Sequence, residues 1–279
     1  ICRVGDWYGG GRLGFAPRDD LTAIYIGYQY YIARYDWATG TTSLIVGKSM
    51  SMADERAWII ANTFQRRQDG KGGAATLNDI SSLAYDGKRE LLWVADSSLH
   101  IIASVTLTPG PSQYTMRTVA GRPGQQNYAD GKGMNAVLSY PRGMVLWSTS
   151  KNIMAPSLSN GLALEDLLFF VDGRGNGGVR YIHIPTEEVF TLIPPSKLPF
   201  AAAHRAAYVD QLLELTLSPD GRFLYMTNGD AIYAVTGGMR VWKIDIIAQT
   251  IVAVGPIWGP YGYTIAGKLL FKTLLPSPS

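Results

Sequence analysis

The stretch Leu91-Leu-Trp-Val-Ala-Asp-Ser97 decides the fold. Close copies of it recur at Leu168-Phe-Phe-Val-Asp-Gly173 and Leu224-Tyr-Met-Thr-Asn-Gly229, with a weaker one at Ala23-Ile-Tyr-Ile-Gly27. Each is a short apolar or aromatic run closed by a turn residue, the pattern of a buried strand entering a tight turn.

Each copy leads into a second pattern. Ile32 to Gly47 carries a Thr-Gly turn between two partly alternating runs, and Val179–Ile193 and Val241–Gly255 match it, with a looser copy at Ile101–Gly121. This predicts strand, turn, strand. A third element precedes each copy, as in Ile80–Arg89, Pro141–Leu146 and Leu213–Arg222. There the pairs Asp86-Gly87 and Asp220-Gly221 are expected to supply the positive φ of a hairpin turn.

The unit is therefore four short antiparallel strands joined as a meander. Such a unit cannot bury both faces alone, so copies must stack, and stacking around an axis gives a β-propeller. The expected fold is all-β: a propeller of four-stranded antiparallel blades, at least four in number and five or six when complete, with long inter-strand insertions. The copies lie roughly 55 to 77 residues apart, against about 40 to 50 for an ordinary blade. The excess sits in insertions at 48–68, 148–163 and 194–208. A short helix is expected at Ala53–Phe64 and helical tendency at Ala201–Ala207. Residues 1–275 read as one propeller domain, with Ile1–Gly5 resembling the end of an outer strand and Tyr263–Leu275 one or two strands more. Residues 276–279 read as the start of a linker or tail.

Composition agrees. Of 279 residues, 47% are hydrophobic and 17% charged, with 31 Gly and 16 Tyr. That supports a sizeable core and favours strands and turns over disorder. The net charge of +3 is scattered, without the basic face of a nucleic-acid binder. One cysteine, Cys2, excludes an intrachain disulfide. No apolar run reaches the length of a membrane-spanning helix.

The stretch Val119-Ala-Gly-Arg-Pro-Gly through Ala129-Asp-Gly-Lys-Gly-Met-Asn-Ala-Val-Leu-Ser-Tyr-Pro-Arg-Gly143 is similar to the inter-blade signature of NHL-repeat propellers. Asp69-Gly-Lys-Gly repeats the turn without the Pro-x-Gly, and Val171–Arg180 resembles the family's strand-turn-strand consensus. The resemblance implies the fold. It leaves the function open, because sites are grafted onto folds.

Several side chains are candidates for chemistry. His100, His183 and His204 resemble the zinc-binding histidines that line the channel of amidating-lyase propellers. Asp96, Asp172 and Asp230 follow successive second strands, where gluconolactonase-type propellers hold a divalent cation, and where Asp also bonds its own turn. Asp69 and Asp130 read as turn formers. Arg34, Arg180 and Arg240 recur at third strands as an expected edge for an acidic partner. Trp58, Trp258, Tyr261 and Tyr263 lie in or beside loops, the placement of binding hot spots. No nucleophile–base pair or metal-ligand spacing stands out. The expectation is a non-enzymatic module that binds another protein through its loop face, without a cofactor. The alternative is a hydrolase or lyase with one divalent metal held in the channel by His100, His183 and Asp172.

Overall fold

A computed structural model describes residues 14–48, 68–146, 158, 166–173, 178–198, 210–218, 220–230 and 239–258. They form four antiparallel meander sheets stacked in chain order as the blades of a β-propeller. Blade 1 holds β1 (Gly14–Pro17), β2 (Ala23–Gly27), β3 (Tyr31–Asp36) and β4 (Thr41–Gly47). Blade 2 comprises the two-residue β5 (Gly70–Lys71), then β6 (Ile80–Asp86), β7 (Leu91–Asp96), β8 (Ile101–Thr106) and β9 (Thr115–Ala120). Blade 3 repeats this with β10 (Gly131–Lys132), β11 (Arg142–Leu146), β12 (Leu167–Asp172), β13 (Gly178–His183) and β14 (Glu188–Ile193). Blade 4 holds β15 (Asp210–Leu217), β16 (Phe223–Asp230), β17 (Met239–Asp245) and β18 (Thr250–Trp258). The first full strands β1, β6, β11 and β15 lie against one another in order and mark the axis side.

The decisive strings are the second strands, and their packing explains their composition. Along β7, Leu92 and Val94 face the blade 1 cluster while Trp93 and Ala95 face the blade 3 cluster. Along β12, Leu168 and Phe170 face blade 2 and Phe169 and Val171 face blade 4. A strand sandwiched between two blades has no wet side, so the usual alternation of apolar and polar residues disappears.

Four-residue turns close the hairpins, with the last residue left-handed: Gly40, Glu90, His100, Glu187 and Gln249 all have positive φ. This corrects one expectation. In the Asp86-Gly87 turn the positive φ falls on Glu90, not on Gly87, whereas Gly221 takes it in the Asp220-Gly221 turn. Asp86 instead accepts the Arg89 N–H and so holds the turn from its start.

The Asp-Gly-Lys-Gly segments are seam fillers. In each, the Gly-Lys pair adds a short strand to the outer edge of its own blade, β5 on β9 and β10 on β14. Read from sequence as turn formers, the two Asp side chains bond the outer strand of the blade. Asp69 accepts the Thr118 N–H of β9, and Asp130 accepts the Thr191 N–H of β14, each at 2.9 Å. Gly121 is demanded by this geometry: its φ is +94°, and a Cβ there would collide with the His100 carbonyl oxygen.

The axis-side strands β6 and β11 are joined by side chains. A register shift between Ile80 and Ser82 accompanies it. The Ser81 hydroxyl donates to the Pro141 carbonyl at 2.6 Å, and Ser82 accepts the Met144 N–H at 2.9 Å. Two adjacent serines thus satisfy the edge groups of the neighbouring strand.

The expected helix at Ala53–Phe64, the hairpin extension at 148–163 apart from the buried Leu158, and the tendency at Ala201–Ala207 lie outside the described residues. The same is true of Ile1–Gly5 and Tyr263–Leu275.

Candidate functional site

The buried carboxylates at the ends of second strands are structural acceptors. Asp96 is fully buried and receives N–H bonds from Asn78, Asp79 and Leu99. Burial pushes its pKa up to about 6 against those bonds, which favour the anion. Asp172, also fully buried, accepts the Ser139 N–H at 2.7 Å and an ion pair from Arg180. Its pKa likewise rises to about 6, desolvation outweighing the Arg180 charge.

Arg180 is the hub of blade 3. Its guanidinium donates to the Val137 and Ala129 carbonyls and to Asp130 and Asp172, with the Tyr128 ring stacked 4.5 Å away. The sequence reading grouped it with Arg34 and Arg240 as an edge for an acidic partner; the structure places it in the interior. The reason is register. The shift on the fourth strand falls after Ile32 in β3 and after Val179 in β13, so Arg180 matches Ala33 and not Arg34. Arg34 sits one residue on, hence on the opposite face. There it is partly exposed and paired with Asp36 at 3.0 Å. The backbone of Arg240 pairs with Asn228 in blade 4.

The three residues of the metal alternative are not brought together. His100 precedes the first residue of β8, and its Nδ1 accepts the Tyr140 N–H at 3.2 Å while its ring meets the Tyr140 ring edge-on. That fixes the neutral ring with the proton on Nε2, and burial lowers the pKa further. No lone pair is left for a metal. His183 is the last residue of β13 and bonds Thr186 in the following turn at 2.8 Å. Equivalent strands run the same way, so the two imidazoles lie at opposite blade ends, about 17 Å apart in level. Asp172 is committed to Arg180. Among the described residues no three His, Cys, Asp or Glu side chains group as a metal ion requires. The donor set does not fit a divalent cation.

Of the aromatic candidates, Trp58, Tyr261 and Tyr263 lie outside the described residues, as does His204. Trp258 ends β18 opposite Met239 and so stands at a strand end.

A different aromatic stands out. Trp37 opens the β3–β4 turn and is 58% exposed, beside Leu21, 70% exposed, in the β1–β2 turn. The two turns are tied together by the Trp37 N–H to the Thr22 carbonyl at 3.0 Å. Asp36 accepts the Ala38 and Thr39 N–H groups at 3.1 Å, and the indole packs edge-on against Tyr35 with centroids 4.8 Å apart. A large amphipathic ring is thus displayed on a stiff turn. The signal was present in Asp36-Trp-Ala-Thr-Gly40, where a tryptophan fills a solvent-side turn position.

Comparison with solved structures places the fold. A chain from a nidogen/laminin complex aligns with a TM-score of 0.53 and 13% identity, covering 89% of this chain and 66% of that one. Hydrazine synthase from Kuenenia stuttgartiensis aligns at 0.51 and 12%, covering 88% and 49% respectively. The chain therefore spans about half to two thirds of the length of these similar structures. At such identity the likeness shows the β-propeller fold alone. No family model and no curated protein matches the sequence.

Proposed function

We propose that this chain is a non-enzymatic, NHL-type propeller that binds another protein through rigidly held turn residues. The observation that carries the reading is the Trp37–Leu21 pair: two large apolar side chains, both mostly exposed, on turns fixed by backbone and Asp36 bonds. Exposed tryptophan on a stiff support loses little entropy on binding and is the commonest kind of hot spot. Supporting it, the buried ionisable groups Asp96, Asp172, Arg180 and His100 all make structural hydrogen bonds, the first three within their own blades and His100 across to the Tyr140 N–H that leads into blade 3. The NHL-type assignment is supported by the two Asp-Gly-Lys-Gly seams, which share one construction.

The test is affinity capture with the full chain, followed by titration of the captured protein. Trp37→Ala is expected to weaken binding about 30-fold, as loss of a hot spot of about 2 kcal/mol does. Met134→Ala, at another exposed apolar position, is the control and should bind as the parent does. Unchanged affinity in Trp37→Ala, or a stoichiometric bound metal accompanied by hydrolytic turnover, overturns the proposal.

A further inference from the structure

The second strands show which blade faces lack a neighbour. In blades 2, 3 and 4 the residues facing the preceding blade, Leu92 and Val94, Leu168 and Phe170, Leu224 and Met226, are all completely buried. The register-matched pair in blade 1 is Ile24 and Ile26, and both are only half-buried. Beside them on the same face, Phe15 is 52% and Leu44 49% exposed. At the other end of the arc, Tyr225 and Thr227 of blade 4 are half-buried on the face where blades 2 and 3 bury Trp93 and Phe169. One gap, open at both sides, accounts for all of these exposures.

We propose that the outer face of blade 1 is the docking surface for this chain's own residues 259–279. Three arguments select that occupant. The first is chain order: each outer strand hands the chain to the next blade position, β4 to blade 2, β9 to blade 3 and β14 to blade 4. By the same order, the segment that follows β18 is next in line for the gap that blade 1 borders. The second is chemistry. No residue on that face of blade 1 is charged, and the segment carries Ile265, Leu269, Leu270, Phe271, Leu274 and Leu275 with only two charges, Lys268 and Lys272. Its 21 residues reach about 70 Å when extended, several times the face height of about 17 Å.

The third is area. Four strands about 4.8 Å apart and about 17 Å tall present roughly 330 Å², so a second copy would bury roughly 650 Å² in total. Stable interfaces between separate chains bury about 1,200–2,000 Å², whereas a tethered segment loses no translational freedom on docking.

The test is photo-cross-linking in the full chain with Cys2→Ser, which removes its single cysteine. A benzophenone maleimide attached at Leu44→Cys is irradiated, and the cross-linked peptide is identified by mass spectrometry. Phe15→Cys is the second position, should Leu44→Cys fail to fold. An intramolecular cross-link into residues 259–279 from either position is the expected result. A product of doubled mass, attachment elsewhere in the chain, or folded monomer without a cross-link overturns the proposal. None of these outcomes depends on Trp37 binding a partner.

Discussion

At the scale of single residues, Arg180 and Asp96 show how ionisable groups in this chain serve packing. Arg180 neutralises one buried carboxylate and satisfies two carbonyls. Arg180→Leu is therefore expected to cost about 3–5 kcal/mol, mostly because Asp172 is left buried and unpaired. Urea unfolding measures it. Adding Asp172→Asn should restore part of the loss, since the amide oxygen still accepts the Ser139 N–H and the charge is gone. Asp96 makes a pH prediction. Its folded pKa lies above the ordinary 3.8, at about 6, so the folded state binds its proton more tightly. That contribution is fully present below pH 4 and is lost as pH rises through 6. Asp96→Asn turns donors toward the Asn78 N–H and is destabilising throughout, but its stability curve should be flatter between pH 4 and 7. An identical slope in the two proteins refutes the assignment.

At the scale of elements, the left-handed positions separate two kinds of glycine. Gly40 has φ +66° with open space around its Cα, whereas Gly121 at +94° faces the His100 carbonyl. Gly40→Ala should cost about 1 kcal/mol, the strain of the backbone conformation alone. Gly121→Ala should cost several times more, because the seam itself must move; thermal denaturation of the two variants distinguishes them. The same elements show what was legible. Second strands were readable because burial on both faces leaves an uninterrupted apolar run, as in Leu167–Val171. The Asp-Gly-Lys-Gly segments were visible as a motif, but their role was not. Asp130 works on Thr191, 61 residues away, and no local pattern encodes that partner. Arg180 was misgrouped because it follows Val179 by one residue whereas Arg34 follows the equivalent Ile32 by two, and a one-residue offset in a strand puts the side chain on the opposite face. Trp37 was overlooked because a tryptophan beside a strand reads equally as core.

At the scale of the whole molecule, ion pairs and apolar packing join the axis-side serine bonds in holding the blades together. Among the described residues, ion pairs cross two of the three seams: Arg18 to Glu90 between blades 1 and 2, then Lys88 and Arg89 to Asp166 and Arg117 to Glu187 between blades 2 and 3. All these groups keep substantial contact with water, so each pair is worth about 0.2–1 kcal/mol and is screened by salt. The apolar seam is larger by far. Trp93 is buried between blades 2 and 3 amid Leu168, Phe170 and Ile182, and truncating it to alanine should cost about 3–5 kcal/mol. The two contributions separate in one experiment. Raising salt from low to molar concentration should lower the unfolding free energy of the parent by only about 1–2 kcal/mol, because salt screens part of the roughly 0.8–4 kcal/mol that the four pairs supply together. Trp93→Ala should lose more than that at every salt concentration, with the same salt slope as the parent. A parent that unfolds cooperatively at low salt yet falls apart in molar salt would mean that the ion pairs, not the interleaved second strands, set the cohesion of the propeller.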